Sequence, residues 1–417
     1  MPNIQLNYGK TQIPFEYDDN RFQVLTRKTQ DSALSDIEIG NLLDNPFDSP
    51  QLEEIVKEGE SILLVVPDAT RQVGAGQIVN LLVRRLIANG TMPYDISVIL
   101  ATGIHRSVTE DEKRDILTPF IFQRVKTLEH NALGLGNIIR LGQTKNGIPI
   151  ELNRALKEYD HVILIGGITF HYFAGFTGGR KLICPGLASS RTISKTHKLA
   201  FDFEQKTRRE GVGLGLLAGN AVHEGFMEVV EAIAPSFCIN TFTNEKGEIV
   251  DLVCGNWKSS HQKACELYAG QHSIEITEKR DLVIVSCGGS PYDINLIQAH
   301  KALEMASKAC TEGGRIIFLA ECGEGLGRKD FLNWFEAETS ERLAEKLGES
   351  YQVNGQTAWS LLTKAERFNI QIITSLGENE TRQMRLQSAR SLDEAMSGID
   401  KNTKGYILPF GSKFLIK

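Results

Sequence analysis

The sequence predicts an α/β protein of two domains, each a mainly parallel sheet flanked by helices. Three observations carry this. Apolar, β-branched runs of strand length recur between turn signals, amphipathic stretches of helical spacing alternate with them, and 417 residues exceed what one core ordinarily organises.

The runs are SILLVVPD (61–68), DISVILATG (95–103), DHVILIGG (160–167), DLVIVSCGG (281–289), GRIIFLAEC (314–322) and NIQIITSLG (369–377). Their continuous rather than alternating hydrophobicity suits strands covered on both faces, as in parallel sheets. Between them, GQIVNLLVRRLIANG (76–90), NLIQAHKALEMASKAC (295–310) and DFLNWFEAETSERLAEKLGE (330–349) repeat apolar residues at helical spacing. Strand, helix and parallel strand in succession imply right-handed crossovers. The polar stretch near 268–280 precedes a fresh strand-and-helix series and divides an N-terminal domain, 1–272, from a C-terminal domain, 273–404. The closing GYILPFGSKFLIK reads as strand, turn, strand, and the tail 405–417 is a candidate to return to the first domain.

Composition narrows the function classes. A hydrophobic fraction of 41% and a charged fraction of 24% are those of an ordinary soluble globular protein, which excludes a disordered, collagenous or coiled-coil chain. The net charge of −6, with Lys and Arg dispersed, offers no field for nucleic acid. The start lacks an apolar core behind a basic head, and the longest apolar runs are strand-sized, so neither secretion nor membrane insertion is expected. Seven cysteines, odd in number and without a C-x-x-C pair, suit reduced thiols in the cytoplasm, with Cys184 a buried structural thiol.

Ligands of open α/β sheets sit beyond the carboxyl ends of the strands, and those ends are polar here. Asp68-Ala69-Thr70-Arg71 follows the first run, and Thr102-Gly103-Ile104-His105-Arg106 the second. HYFAGFTGGRKLICPG (171–186) follows the third, and GGSPYD follows the fourth, leading to a helix with Gln298 and Lys301. Each has a structural reading: Asp68 and Thr70 as turn or N-cap residues, Arg71 and Arg106 as solvated cations, a histidine as a satisfied core residue. Gln298 and Lys301, three apart, share a helix face, as solvated residues also do. Their placement at four strand ends points instead to one anionic site. Phosphate loops do not explain it: G-x-x-x-x-G-K-[ST] is absent, and the glycines of GVGLGLLAG (211–219) lack a preceding strand. H-x-x-x-H and paired-cysteine metal motifs are absent too.

Taken together, D-A-T-R (68–71), A-T-G-I-H-R (101–106), the glycine-rich 171–189 segment, His197 and Q-A-H-K (298–301) resemble the nickel-dependent lactate racemase family of 2-hydroxyacid racemases and epimerases. The resemblance runs in order over most of the chain. It implies a two-domain α/β enzyme with its active site in the interdomain cleft and a nickel-pincer nucleotide carrying Ni(II). By the same resemblance Lys181 joins that cofactor through a thioamide and His197 supplies the protein's nickel ligand. Separate biosynthetic proteins would supply the cofactor.

The implied reaction is the interconversion of the C2 stereoisomers of a 2-hydroxy acid, lactate or a larger relative. A hydride moves to the cofactor as the hydroxyl proton leaves, and each enantiomer's hydroxyl needs its own base. The resemblance assigns His105 and His171 to these roles, for which a near-neutral imidazole is suited. Arg71, Gln298 and Lys301 would hold the substrate carboxylate. Asp68, Ala69, Thr70 and Arg71 would touch the cofactor. Phe173 either packs on its pyridinium ring or serves as a core aromatic.

The sequence departs from lactate-type members at Gln356, where an aromatic is expected, with Trp359 three residues on, and at Ile297, where a tyrosine is expected. The default partner for Arg180 is a structural salt bridge. The alternatives to a racemase are an NAD(P)-dependent or phosphate-ester-processing α/β enzyme, and a non-catalytic binding protein for an anionic metabolite. Oligomeric state is left open.

Overall fold

Each of the six apolar runs forms a strand in the computed structural model, which describes residues 1–27 and 32–417. The described chain divides into two units, one of residues 32–200 and 210–270, the other of 1–27, 201–209 and 271–417.

In the first unit, β1 (Ile62–Pro67), β2 (Ile96–Ala101), β3 (Lys126–Leu128), β4 (His161–Gly167), β5 (Phe237–Thr243) and β6 (Ile249–Gly255) form a sheet in the order β6-β5-β4-β1-β2-β3. All neighbours are parallel except the antiparallel pair β5 and β6. Every side chain of β1 is buried, as a central strand covered on both faces requires. Helix α1 (Ala75–Ala88) lays Ile78, Val79, Leu82 and Leu86 on one face, against Ile62, Leu64 and Val66 of β1. Helix α2 (Ser190–Lys198) starts at Ser189, whose hydroxyl accepts from the Thr192 N–H, and α3 (Ala221–Glu231) starts at Asn220, which caps Val222 and His223.

In the second unit, β7 (Arg280–Ser286), β8 (Cys310–Leu319), β9 (Asn369–Ile373), β10 (Gln387–Ser388) and β11 (Gly405–Leu408) form an all-parallel sheet in the order β10-β9-β8-β7-β11, with Phe22–Val24 beyond β11. Helix α4 (Leu296–Ala309) follows β7 and is capped by Asn295. Leu282, Ile284, Ile317, Leu319 and Ile407 join Leu6, Phe15 and Phe22 of the N-terminal segment in one core.

Three expectations are corrected. The tail 405–417 stays with the second unit, because β11 completes that sheet beside β7 and Leu415–Ile416 pairs with Ser273–Ile274. Residues 1–27 and 201–209 also join the second unit, the former through strand pairing with β11 and the shared core. The helix over 330–349 is broken into a 3-10 turn, Leu332–Ala337, and α5 (Ser340–Glu349). Glu338 adopts φ 61° and Thr339 caps a new start by accepting from the Arg342 N–H, so the chain re-enters the helix in a new direction.

Candidate active site

β4, β1 and β2 are adjacent and parallel, so the segments leaving their carboxyl ends are neighbours. Those segments carry Asp68 to Arg71, Thr102 to Arg106 and His171 to Lys181. The last two are tied together, since the Gly103 N–H donates to Gly186 O at 2.8 Å.

Asp68 is 5% exposed. Its Oδ2 accepts from His105 Nδ1 at 2.7 Å, and its Oδ1 accepts from the Thr70 hydroxyl at 2.6 Å and the Thr70 N–H at 3.1 Å. Burial alone would raise this carboxyl's pKa. The His105 hydrogen bond and charge, the Thr70 hydroxyl and the Arg71 charge outweigh it and hold the group below the ordinary carboxylate value. An ionised carboxylate only accepts, so His105 holds a proton on Nδ1, and in the neutral form of the ring the lone pair lies on Nε2. The His105 side chain is 45% exposed, whereas Asp68 is buried beneath it.

His171 is buried at the end of the two-residue strand Phe170–His171, which pairs with Gly175–Phe176. Its Nδ1 accepts from the Ala174 N–H at 3.3 Å, and the Phe173 ring meets it edge-on at 4.4 Å. Phe173 is the hub of this region. Its centroid lies 5.5 Å from Lys181 Nζ and 5.0 Å from the His197 ring. Phe226 of α3 meets the same two groups, at 5.4 Å and 5.6 Å. An amine and an imidazole thus share two aromatic neighbours.

His197 donates from Nδ1 to Ile193 O at 2.8 Å, the helical i−4 carbonyl, which leaves the Nε2 lone pair as a ligand atom. Burial, then the Lys181 charge, push its pKa down to about 3, so the ring is neutral as a metal ligand must be. Among the described residues no cluster of three or more His, Cys, Asp or Glu could hold a metal. A lone imidazole beside an amine suits a group that brings its own donors and is anchored covalently. The nickel-pincer nucleotide fits these residues on that chemistry.

Arg71 lies just past β1, its N–H donating to Asp68 O at 3.2 Å, and Ala69 sits within this turn. Gln298 and Lys301 belong to the second unit, on the first turns of α4, where Lys301 donates to the Gln298 carboxamide oxygen. Gln356 is buried and accepts from the Tyr351 hydroxyl at 2.5 Å; Trp359 packs edge-on against Phe201 at 4.8 Å. All seven cysteines are free and buried. Burial pushes the Cys184 thiol up to about 12, the behaviour of a structural thiol.

The salt bridge expected for Arg180 is replaced by another arrangement. Arg180 is 1% exposed and has no carboxylate partner among the described residues. It donates to Ala174 O at 2.8 Å, Thr177 O at 3.2 Å and His261 Nε2 at 2.8 Å. A guanidinium only donates, so His261 accepts at Nε2 and carries its proton on Nδ1; its 2.9 Å approach to Thr177 O is then a contact rather than a hydrogen bond. Burial lowers the Arg180 pKa to about 10.

Sequence reasoning missed two features. One is Asn220, which the N-cap signal of an Asn before an amphipathic helix reveals. The other is the buried set Glu304, Lys364 and Arg208 of the second unit, with Lys364 Nζ 2.5 Å from Glu304, which no local pattern announces.

The fold is that of an α/β protein whose adjacent strand ends bring together Asp68 with His105, and Lys181 with His197 across the Phe173 ring. Residues 8–208 match the family described as the lactate racemase N-terminal domain, and 276–406 the lactate racemase C-terminal domain. A lactate racemase of Thermoanaerobacterium thermosaccharolyticum is 27% identical over 432 residues, covering 100% of both chains. One from Lactiplantibacillus plantarum is 30% identical over 337 residues, covering 80% of this chain and 78% of the relative. The structure of the lactate racemase apoprotein from T. thermosaccharolyticum superposes with a TM-score of 0.89 at 26% identity over 100% of both chains. A Thermotoga maritima protein shares the fold, with a TM-score of 0.71 and 20% identity over 94% of this chain and 100% of that one. The chain belongs to the lactate racemase family and is an isomerase of the racemase kind.

Proposed function

We propose that this racemase interconverts the C2 stereoisomers of a 2-hydroxy acid, lactate or a larger relative, with a nickel-pincer nucleotide held at Lys181 and His197. The observation that carries this reading is the pairing of Lys181 and a neutral His197 against Phe173 and Phe226. When bound, the group would supply an electrophilic carbon able to take a hydride from C2 and return it.

The chain's own residues then have defined tasks. Arg71 is suited to bind the carboxylate of the substrate, a task the family resemblance also assigns to Gln298 and Lys301. His105 takes the hydroxyl proton of one enantiomer at Nε2 while Asp68 holds the ring by Nδ1 and stabilises the imidazolium. His171 serves the other enantiomer's hydroxyl at Nε2 in the tautomer with its proton on Nδ1, which gives up the 3.3 Å acceptance from the Ala174 N–H. As the C2 hydrogen leaves with its electron pair, the hydroxyl proton leaves without one, so the carbon becomes a neutral ketone. Adding hydrogen to the opposite face, with a proton from the second histidine, inverts the centre. Asp68 to Arg71 and Phe173 line the cofactor in this reading. Maturation by cofactor-biosynthetic proteins and a cytoplasmic location complete it. Unpaired buried thiols support the location, and no described helix is long and apolar enough to cross a membrane.

The test is chiral chromatography of a 2-hydroxyacid panel incubated with protein produced alongside the cofactor's biosynthetic enzymes. Racemisation of at least one acid, lost in the His105→Asn/His171→Asn double variant, is expected. Full turnover by that double variant would sink the two-base reading.

A further inference from the structure

The glycine-rich loop 211–219 and the buried Arg180 stand outside the chemistry assigned so far, yet both converge on the hairpin that carries His171. That hairpin consists of two two-residue strands closed by Tyr172, Phe173 and Ala174, with Gly175 at φ +77°. So short a ribbon cannot hold its own shape in water. Its place is set by what grips its backbone.

Three consecutive carbonyls are gripped from outside. Phe173 O accepts from Asn220 Nδ2 at 2.9 Å, Ala174 O from Arg180 at 2.8 Å, and Gly175 O from the Gly215 N–H at 3.0 Å. Thr177 O takes a further bond from Arg180 at 3.2 Å. Asn220 is fully buried and uses its whole carboxamide. Nδ2 also donates to Leu216 O at 2.9 Å, and Oδ1 accepts from Val222 N at 3.1 Å and His223 N at 3.3 Å. One side chain therefore joins the hairpin, the glycine-rich loop and the start of α3. The fit of loop on hairpin is close: a Cβ at Gly175 would lie 2.1 Å from Leu216 O.

We infer that Asn220 and Arg180 are positioning residues for His171, clamping the carbonyls of its hairpin so that the imidazole meets the substrate hydroxyl in register. The inference rests on the reading of His171 as an acid–base group. Arg180 suits the task because its planar fork reaches two carbonyls at once, and its burial without a carboxylate leaves those carbonyls as essential partners. Asn220 suits it because a carboxamide alone can cap a helix by its oxygen while donating twice by its nitrogen.

The test uses full-length, cofactor-loaded enzyme carrying Asn220→Ser, which keeps a capping oxygen but loses the carboxamide N–H groups. A misplacement approaching 1 Å costs on the order of a hundredfold in rate, so kcat is expected to fall about 10- to 100-fold. KM should stay within about threefold, and covalent loading by intact mass should equal the parent's. Hydrogen exchange in the unloaded protein is expected to quicken in the 170–178 peptide and not in β1. Parental kcat together with parental exchange in that peptide would overturn the inference. If Asn220→Ser fails to fold, Arg180→Lys decides in its place by the same measurements, since an ammonium retains the charge without the two-carbonyl fork. His171→Asn is the companion control: full activity in it would refute His171 as an acid–base group, whereas its inactivation beside an Asn220→Ser enzyme of parental kcat and parental exchange would refute only the clamp.

Discussion

Replacing Asp68 by Asn should impair catalysis more than replacing it by Ala, because of which atoms surround the side chain. The Thr70 hydroxyl and N–H both donate to Oδ1, at 2.6 and 3.1 Å, so an Asn must place its oxygen there. Its NH2 then faces His105 Nδ1, 2.7 Å from the present Oδ2, and only a lone pair on Nδ1 can receive it. The proton moves to Nε2, and the ring loses the nitrogen that would accept the hydroxyl proton. Loss of a charge-assisted hydrogen bond is worth about 1.5–3 kcal/mol, or roughly 10- to 150-fold in kcat. Asp68→Ala leaves the ring free to populate both tautomers, so its loss should be smaller. The assay is initial racemisation rate from each enantiomer, on variants matched for nickel and covalent mass. Enantiomers have equal free energy, so kcat/KM must fall equally in both directions. An Asn variant within about threefold of the parent, or an Ala variant slower than the Asn variant, would refute the tautomer argument.

Four further outcomes are expected. Gly175→Ala, with its Cβ 2.1 Å from Leu216 O and φ at +77°, should destabilise by about 1–3 kcal/mol, read from the urea midpoint; an unchanged midpoint counts against the loop contact. Glu304→Ala removes the carboxylate from the buried Lys364 ammonium in the second unit and should cost about 3–5 kcal/mol, lowering the thermal midpoint; no shift would show that the pair is solvated. Burial lowers His130 to about 4, and burial with nearby positive charge lowers His197 and His300 to about 3, all below the unfolded value of 6.5. The unfolded chain therefore takes up their protons first, so stability should fall as pH drops below about 6.5, by up to roughly 1.4 kcal/mol per pH unit for each group; a flat thermal midpoint from pH 7 to 5 would contradict this. Because the proposed ligand and the proposed anchor are different residues, His197→Ala should lose nickel yet keep the covalent mass on Lys181.

The sheets were readable because buried parallel strands are continuous apolar runs, as in Ile62–Pro67 and Arg280–Ser286. Strand order was not. Phe22–Val24 is three residues long and finds β11 nearly four hundred residues away, so no local pattern assigns the N-terminal segment to the second unit. The candidate site was readable only as residue types at strand ends, and adjacency of β4, β1 and β2 makes those ends neighbours. The hydrogen bonds between them were hidden. Asp68 reads as a turn former until its partner across the sheet is known, and Arg180 reads as half of an ion pair because backbone carbonyls leave no mark in a sequence. The break at Glu338 was hidden for a related reason: apolar spacing continues through it, while the Thr339 cap is a local signal that runs against that spacing.

The central claim is that Lys181 anchors a nickel-bearing cofactor for which His197 is the protein ligand. Intact mass with nickel analysis, on parent and Lys181→Ala protein made with the cofactor's biosynthetic enzymes, tests it most directly. The account predicts a mass increment mapping to the Lys181 peptide in the parent, with about one nickel per chain, and neither in the variant. A fully loaded Lys181→Ala protein, or an active parent whose Lys181 carries no added mass, would contradict it.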